Sequence, residues 1–160
     1  MKGKPEVLKV LQEMLEEELG AISQYFLHNE MCENWGYERL SKHVKKLSVN
    51  EMGHAEELIE RMLFLEGMPS LSELPKLNIG KGVKEQLEND LALEHGAVKG
   101  YNEAIATCRK AGDNGTADFL KGILADEEAH VDFFEEQLGL IEQLGLQNYL
   151  AQQLGEEKGE

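Results

Sequence analysis

At 160 residues the chain is long enough for one domain with a real core, and 41% apolar with 29% charged residues and only three prolines make a helical composition. A net charge of −15 argues against nucleic acid and anionic membrane as partners. No apolar run reaches the roughly 18 residues of a membrane span, and the acidic, amphipathic start from Met1 to Leu15 does not read as a signal peptide. Two cysteines 76 residues apart form neither a zinc motif nor a disulfide framework, so a reducing cytoplasm is the expected location.

Apolar residues at helical spacing run through Val7, Leu8, Leu11, Leu15, Leu19, Ile22 and Phe26 and predict a first helix over about 5–34. Pro5 suits its first turn, and Asn34-Trp35-Gly36 ends it. A second helix is expected over about 38–65. Gly67, Pro69, Pro75, Gly80 and Gly82 then mark a long irregular connection. A third helix follows over about 83–110, stopped by Gly112-Asp113-Asn114-Gly115. The fourth covers about 116–138 or somewhat beyond, and a short last helix is expected near Leu146 to Leu154.

Connection lengths set the expected topology. The short turns make helices one and two antiparallel, and likewise three and four. The connection 66–82, 17 residues long, reaches about 56 Å when extended at ~3.3 Å per residue. A 28-residue helix, such as that expected over 83–110, is about 42 Å long at ~1.5 Å per residue. The connection therefore spans the bundle and returns helix three parallel to helix two, leaving the hairpins related by a twofold axis perpendicular to the bundle.

One set of residues recurs at an offset of 76: Glu18 at Glu94, and Glu51-x-x-His54 at Glu127-x-x-His130. Residues three apart share a helix face, so each Glu-x-x-His offers an oxygen and a nitrogen to one ion. Two such pairs plus two lone glutamates are the ligand set of a di-iron or di-manganese four-helix bundle. Four carboxylates and two neutral imidazoles balance two divalent ions, or two trivalent ions and one oxide. The oxygen-rich set suits iron or manganese over zinc. Glu51 and Glu127 are expected to bridge, with Glu18 and His54 on one metal and Glu94 and His130 on the other.

Tyr25 and Tyr101, Ala21 and Ala97, and Cys32 and Cys108 obey the same offset. Each tyrosine is either a core aromatic or a hydrogen-bond partner of a carboxylate ligand, and the cysteines read as small buried hydrophobes too far apart to pair. Met52 follows a ligand glutamate, and one residue turns about 100° on a helix. It should face outward, as a packing residue at a subunit contact or as a thioether ligand.

The segments Gln24-Tyr25-Phe26-Leu27-His28, Asn34-Trp35-Gly36, Glu51-Met52-x-His54-Ala55, Leu65-Glu66-Gly67, Lys76-Leu77-Asn78-Ile79-Gly80, Asp90-Leu91-Ala92-Leu93-Glu94, Asp126-Glu127-Glu128-x-His130 and Gly145-Leu146-Gln147-Asn148-Tyr149-Leu150 resemble bacterioferritin across nearly the whole chain. The resemblance implies an all-α, ferritin-like bundle with a fifth C-terminal helix, assembled into a homo-oligomeric cage of twenty-four subunits. It further implies iron storage, ferroxidase activity at a di-iron centre with O2 or peroxide as oxidant, and b-type haem at twofold interfaces. A ferredoxin-type donor would supply electrons for iron release. Position by position, Glu18, Glu51, His54, Glu94, Glu127 and His130 match the ferroxidase ligands, Tyr25 the tyrosine beside them, and Met52 the axial haem ligand. Lys46 and Asn50 stand where several members have a His and an Asp that bind an additional inner-surface iron, so no such third ion is expected here. The competing readings are a haem-free bacterial ferritin, a rubrerythrin-like di-iron peroxidase, a DNA-protecting mini-ferritin and a purely structural acidic bundle. The second lacks its Cys-x-x-Cys pairs, and the net charge of −15 disfavours the third.

Overall fold

The computed structural model describes residues 1–156 as five helices: α1 (Pro5–Asn34), α2 (Glu38–Phe64), α3 (Val83–Lys110), α4 (Asn114–Leu144) and α5 (Leu146–Ala151). Among the described residues no helix is long and apolar enough to cross a membrane.

The two hairpin turns are copies of each other. Gly36 and Gly112 adopt φ of 87° and 76°, a region glycine enters without strain. The amide of Tyr37 reaches back to the Cys32 carbonyl at 3.0 Å, and that of Asp113 to Cys108 at 2.9 Å. The sequence reading placed Asn114 and Gly115 in the stop, but they form the first turn of α4. The Asp113 carboxylate accepts from the Thr116 amide at 2.9 Å and from its hydroxyl at 2.7 Å, which caps the helix early. α4 runs on through Gly139 to Leu144, within the expected 138 or somewhat beyond. Burial of Phe134 and Ile141 on either side outweighs the roughly 1 kcal/mol that glycine costs inside a helix. Gly145, at φ 80°, ends it. α5 stops at Ala151, short of the expected Leu154, because the carbonyls of Gln152 and Gln153 turn to accept from the side chain and amide of Arg39.

Side-chain contacts fix how the helices run. On α1 and α3, the Tyr25 hydroxyl meets Glu94 and the Tyr101 hydroxyl meets Glu18, so these helices are antiparallel. On α2 and α4, Arg61 meets Thr116 at 2.9 Å and Asn50 meets His130 at 2.7 Å, again antiparallel. The connection lies along α1 throughout. Ser70 exchanges two 2.9 Å hydrogen bonds with the Gln12 side chain, the Asn78 amide donates to Gln24 at 3.0 Å, and the Gly80 amide donates to His28 at 3.0 Å. Between these, a Cβ on Gly20 would sit 2.5 Å from Pro75 Cγ, so only glycine permits the approach.

The core has two apolar ends and a polar middle. One end packs Val7, Leu11 and Leu15 with Leu58, Met62, Leu120 and Ile123. The other packs Leu40, Val44 and Leu47 with Leu87, Phe134 and Tyr149. Each fully buried aliphatic side chain contributes about 1.5–3 kcal/mol, which clamps the layer between them. Cys32 and Cys108 lie in opposite ends, both buried and unpaired. Burial lifts their thiols to about 12 and about 11.

Candidate metal centre

The polar layer is built from one side chain of α1, one of α3 and two each of α2 and α4. Glu18, Glu51, His54, Glu94, Glu127 and His130 are all buried, none more than 6% exposed. They form two groups whose donor atoms lie within 4.8 Å of one another: Glu18, Glu51, His54 and Glu127, then Glu51, Glu94, Glu127 and His130. Glu51 and Glu127 belong to both. His54 Nδ1 stands 2.9 Å from Glu51 and Glu127 and 3.7 Å from Glu18. His130 Nδ1 stands 3.0 Å from Glu51 and 3.2 Å from Glu94. In each histidine the helical i, i+3 spacing to its own glutamate puts both donors on the inward face.

These donors aim at shared space more than at each other. Glu51 Oε1, Glu94 Oε2, Glu127 Oε1 and His130 Nδ1 are buried without an aligned hydrogen-bond partner. Each such orphan costs about 1–3 kcal/mol in a folded core. Four unpartnered polar atoms converging in one buried layer fit a pair of hard divalent cations once the His130 proton has left, and a carboxylate-rich set with one nitrogen per group fits iron or manganese.

Protons are shared across the layer. Burial lifts Glu18 to about 8 against the hydrogen bond to His54, and lifts Glu127 to about 10. Burial opposes charge on Glu51 too, but the close approach of His130, His54 and Glu18 outweighs it and holds that carboxyl well below its ordinary range. For His130, burial disfavours the cation, yet Glu51 and Glu94 prevail and raise it to about 10. Against the same burial, Glu127, Glu18 and Glu51 raise His54 well above an ordinary imidazole.

Around this layer stand residues that orient it. The Tyr25 hydroxyl donates to Glu94 and the Tyr101 hydroxyl to Glu18, each across to the other hairpin and not to the glutamate of its own helix. His54 Nε2 pairs with Asp126 Oδ2 at 3.0 Å, and His130 Nε2 with Asn50 Oδ1 at 2.7 Å. Both outer partners escaped the sequence reading: Asn50 and Asp126 stand 76 residues apart, as the paired glutamates do, but are different residue types, so the repeat does not expose them. Also missed was a buried cluster beside the layer. His28 Nδ1 donates to Asp90 at 2.9 Å, its Nε2 accepts from the Gly80 amide, and Gln24 donates to Asp90 at 2.8 Å. Its members lie up to 66 residues apart and carry no periodic signal.

Met52 lies outside this layer, 49% exposed on the outward face of α2. Val49 on the same helix is 60% exposed and Phe26 on α1 is 61% exposed. The register between the two helices is pinned by the Ser48 hydroxyl donating to the Ile22 carbonyl at 3.0 Å. Met52 thus offers an accessible thioether among exposed apolar side chains of α1 and α2. Further apolar exposure follows at Leu63, Phe64, Met68, Leu71 and Leu74.

A family model for the ferritin-like domain matches residues 8–144. The chain is 45% identical over 152 residues to a bacterioferritin of Mycolicibacterium paratuberculosis, covering 95% of this chain and 96% of that protein. It is 45% identical over 149 residues to one from Rhodobacter capsulatus, covering 93% and 92% of the two chains. To one from Brucella melitensis it is 44% identical over 149 residues, with the same coverage.

Proposed function

Because the chain belongs to the bacterioferritin family of ferritin-like proteins, we propose that it stores iron and oxidises Fe2+ to Fe3+ in the buried polar layer. The observation that carries this reading is the pair of four-donor groups sharing Glu51 and Glu127. Fe2+ is the substrate. Two ions give up one electron each, and O2 takes both with two protons to leave as hydrogen peroxide, or peroxide takes them with two protons to leave as two waters.

Glu18 and His54 would hold one ion and Glu94 and His130 the other, with Glu51 and Glu127 spanning both. The protons on Glu18, Glu127 and the histidines must leave as the ions enter, since the donor atoms are the same. Tyr25 and Tyr101 hold the outer glutamates in place through their hydroxyls. The apolar ends of the bundle exclude bulk water from the layer.

Assembly into a hollow homo-oligomeric cage of twenty-four subunits accounts for the exposed apolar side chains on α2 and the connection, which a monomer leaves in water. Met52 would hold a haem through its thioether at a contact between two subunits, with the exposed Phe26 and Val49 offering apolar surface to the ring. When bound there it supplies electron transfer for iron release, fed by a ferredoxin-type donor. A cytoplasmic location accords with the free, buried thiols.

The test is rapid-mixing absorbance after adding two Fe2+ per chain to metal-free protein. The double variant Glu18→Ala, Glu94→Ala is expected to lose rapid oxidation while keeping the particle size of the parent. Wild-type initial rates in that variant would overturn the assignment.

A further inference from the structure

The offset that relates the two hairpins preserves the six inner residues and both tyrosines, and breaks at the outer partners of the histidines. His54 is backed by the carboxylate of Asp126 and His130 by the amide of Asn50. Both ring nitrogens involved are Nε2, so both Nδ1 atoms face the donor layer. An acceptor on Nε2 fixes the tautomer that leaves Nδ1 bare for a metal, and it also tunes how strongly Nδ1 donates. A charged acceptor makes a hydrogen bond roughly twice as strong as a neutral one and pushes more electron density onto the ring.

On these observations we infer that the two halves of the centre are unequal: a divalent ion is held more tightly by the Glu18–His54 half than by the Glu94–His130 half, with Asp126 and Asn50 as the positioning residues that set the order. The inference rests on the two-ion reading above and adds an order of filling to it. Outer partners of this kind shift metal affinity about 10–100-fold. Asp126 has 56% of its side chain exposed, and solvent weakens its charge, so the lower end of that range applies.

The experiment is calorimetric titration of metal-free protein with Co2+, together with the anomalous signal of crystals given one Co2+ per chain. Wild-type protein should bind two ions in steps about tenfold apart, with the first ion beside His54. Asn50→Asp should tighten the second step about tenfold and merge the two. The exchange variant Asn50→Asp, Asp126→Asn should reverse the order and put the first ion beside His130, an outcome that general loosening of the bundle does not produce. First occupancy beside His130 in wild type, equal occupancy of both halves, or an unchanged order in the exchange variant would overturn the inference. If Asp126→Asn prevents folding, Asn50→Asp alone decides, and an unaltered pair of steps in it overturns the proposal. Binding of fewer than two ions per chain by wild type would instead refute the two-ion reading itself.

Discussion

Loading the centre should expel protons in a number that the buried layer dictates. With His130 raised to about 10 and His54 raised well above its ordinary value by the surrounding carboxylates, both imidazoles are expected to be cationic in the metal-free layer at pH 7. Two positive rings in a dry layer need two carboxylates to balance them. Glu51, held far down, is one, and the second charge is shared among the other three. Two carboxyl protons therefore remain, which agrees with Glu18 at about 8 and Glu127 at about 10. Two divalent ions need all four carboxylates ionised and both imidazoles neutral, so about four protons leave per chain. The exchange is electroneutral. Between pH 7 and pH 6 all four protons stay bound in the metal-free protein, so the affinity of each ion should fall on average about 100-fold. The slope should ease above pH 8, as Glu18 ionises unaided. Calorimetry of Co2+ binding in two buffers of different ionisation enthalpy counts the protons directly. Release of two or fewer at pH 7 would refute the charge-balance argument. The same shifts set metal-free stability. Glu18 rises from 4.5 to about 8, so its contribution is full below pH 4.5 and is lost as pH climbs through 8. Glu127 and His130 act in the same direction at higher pH. Glu51 runs the other way, but its contribution is lost only in acid, below 4.5. The melting temperature of metal-free protein should therefore drop from pH 6 to pH 9, and saturating Co2+ should remove that drop.

Tyr25→Phe and Tyr101→Phe each delete a buried hydroxyl bound to a glutamate, a bond worth about 1.5–3 kcal/mol when the acceptor is charged. Both should lower the melting temperature of Co2+-loaded protein by about 3–12 °C, and a silent Tyr101→Phe beside a costly Tyr25→Phe would show that the two halves do not share this support. Gly20→Ala drives a methyl to 2.5 Å from Pro75. Overpacking of about 1–3 kcal/mol should match or exceed the roughly 1 kcal/mol gained in helix propensity and expose the connection to protease, whereas a higher melting temperature with unchanged proteolysis would contradict the close approach. Met52→Leu keeps volume and apolarity but removes the sulfur; protein expressed with ample haem should lose its low-spin Soret band and keep its particle size, and an unshifted, full band would return Met52 to a packing role.

What the sequence revealed and concealed follows from the kind of signal each feature leaves. The convergence of Glu18, Glu51, His54, Glu94, Glu127 and His130 was legible because helical spacing fixes a face and the repeated offset fixes a depth. Spacing does not say which neighbour a side chain meets. Each tyrosine therefore could be assigned a face but not its glutamate on the other hairpin. Gly115 misled because its turn-like surroundings hid the cap that Asp113 provides. The His28–Asp90 cluster was invisible, because a pair joined only by the path of a long connection follows no period.

That cluster has a consequence for how the chain finds itself. Two hairpins with matching inner faces present a choice: each could pair with its own partner or with the hairpin of another chain, and the donor layer alone would be satisfied either way. The offset counterparts of His28 and Asp90 are Ala104 and Met14, so the polar knot exists on one side of the repeat and not the other. It ties Gly80 and Asn78, the last stretch before α3, to α1 of the same chain. With Gln12 and Gly20 holding the earlier stretch, the connection closes along α1 like a seam. A hairpin exchanged between chains would have to open that seam and leave Asp90 buried without its imidazole. Identity of the partner hairpin is thereby written in the strap and not in the bundle it crosses.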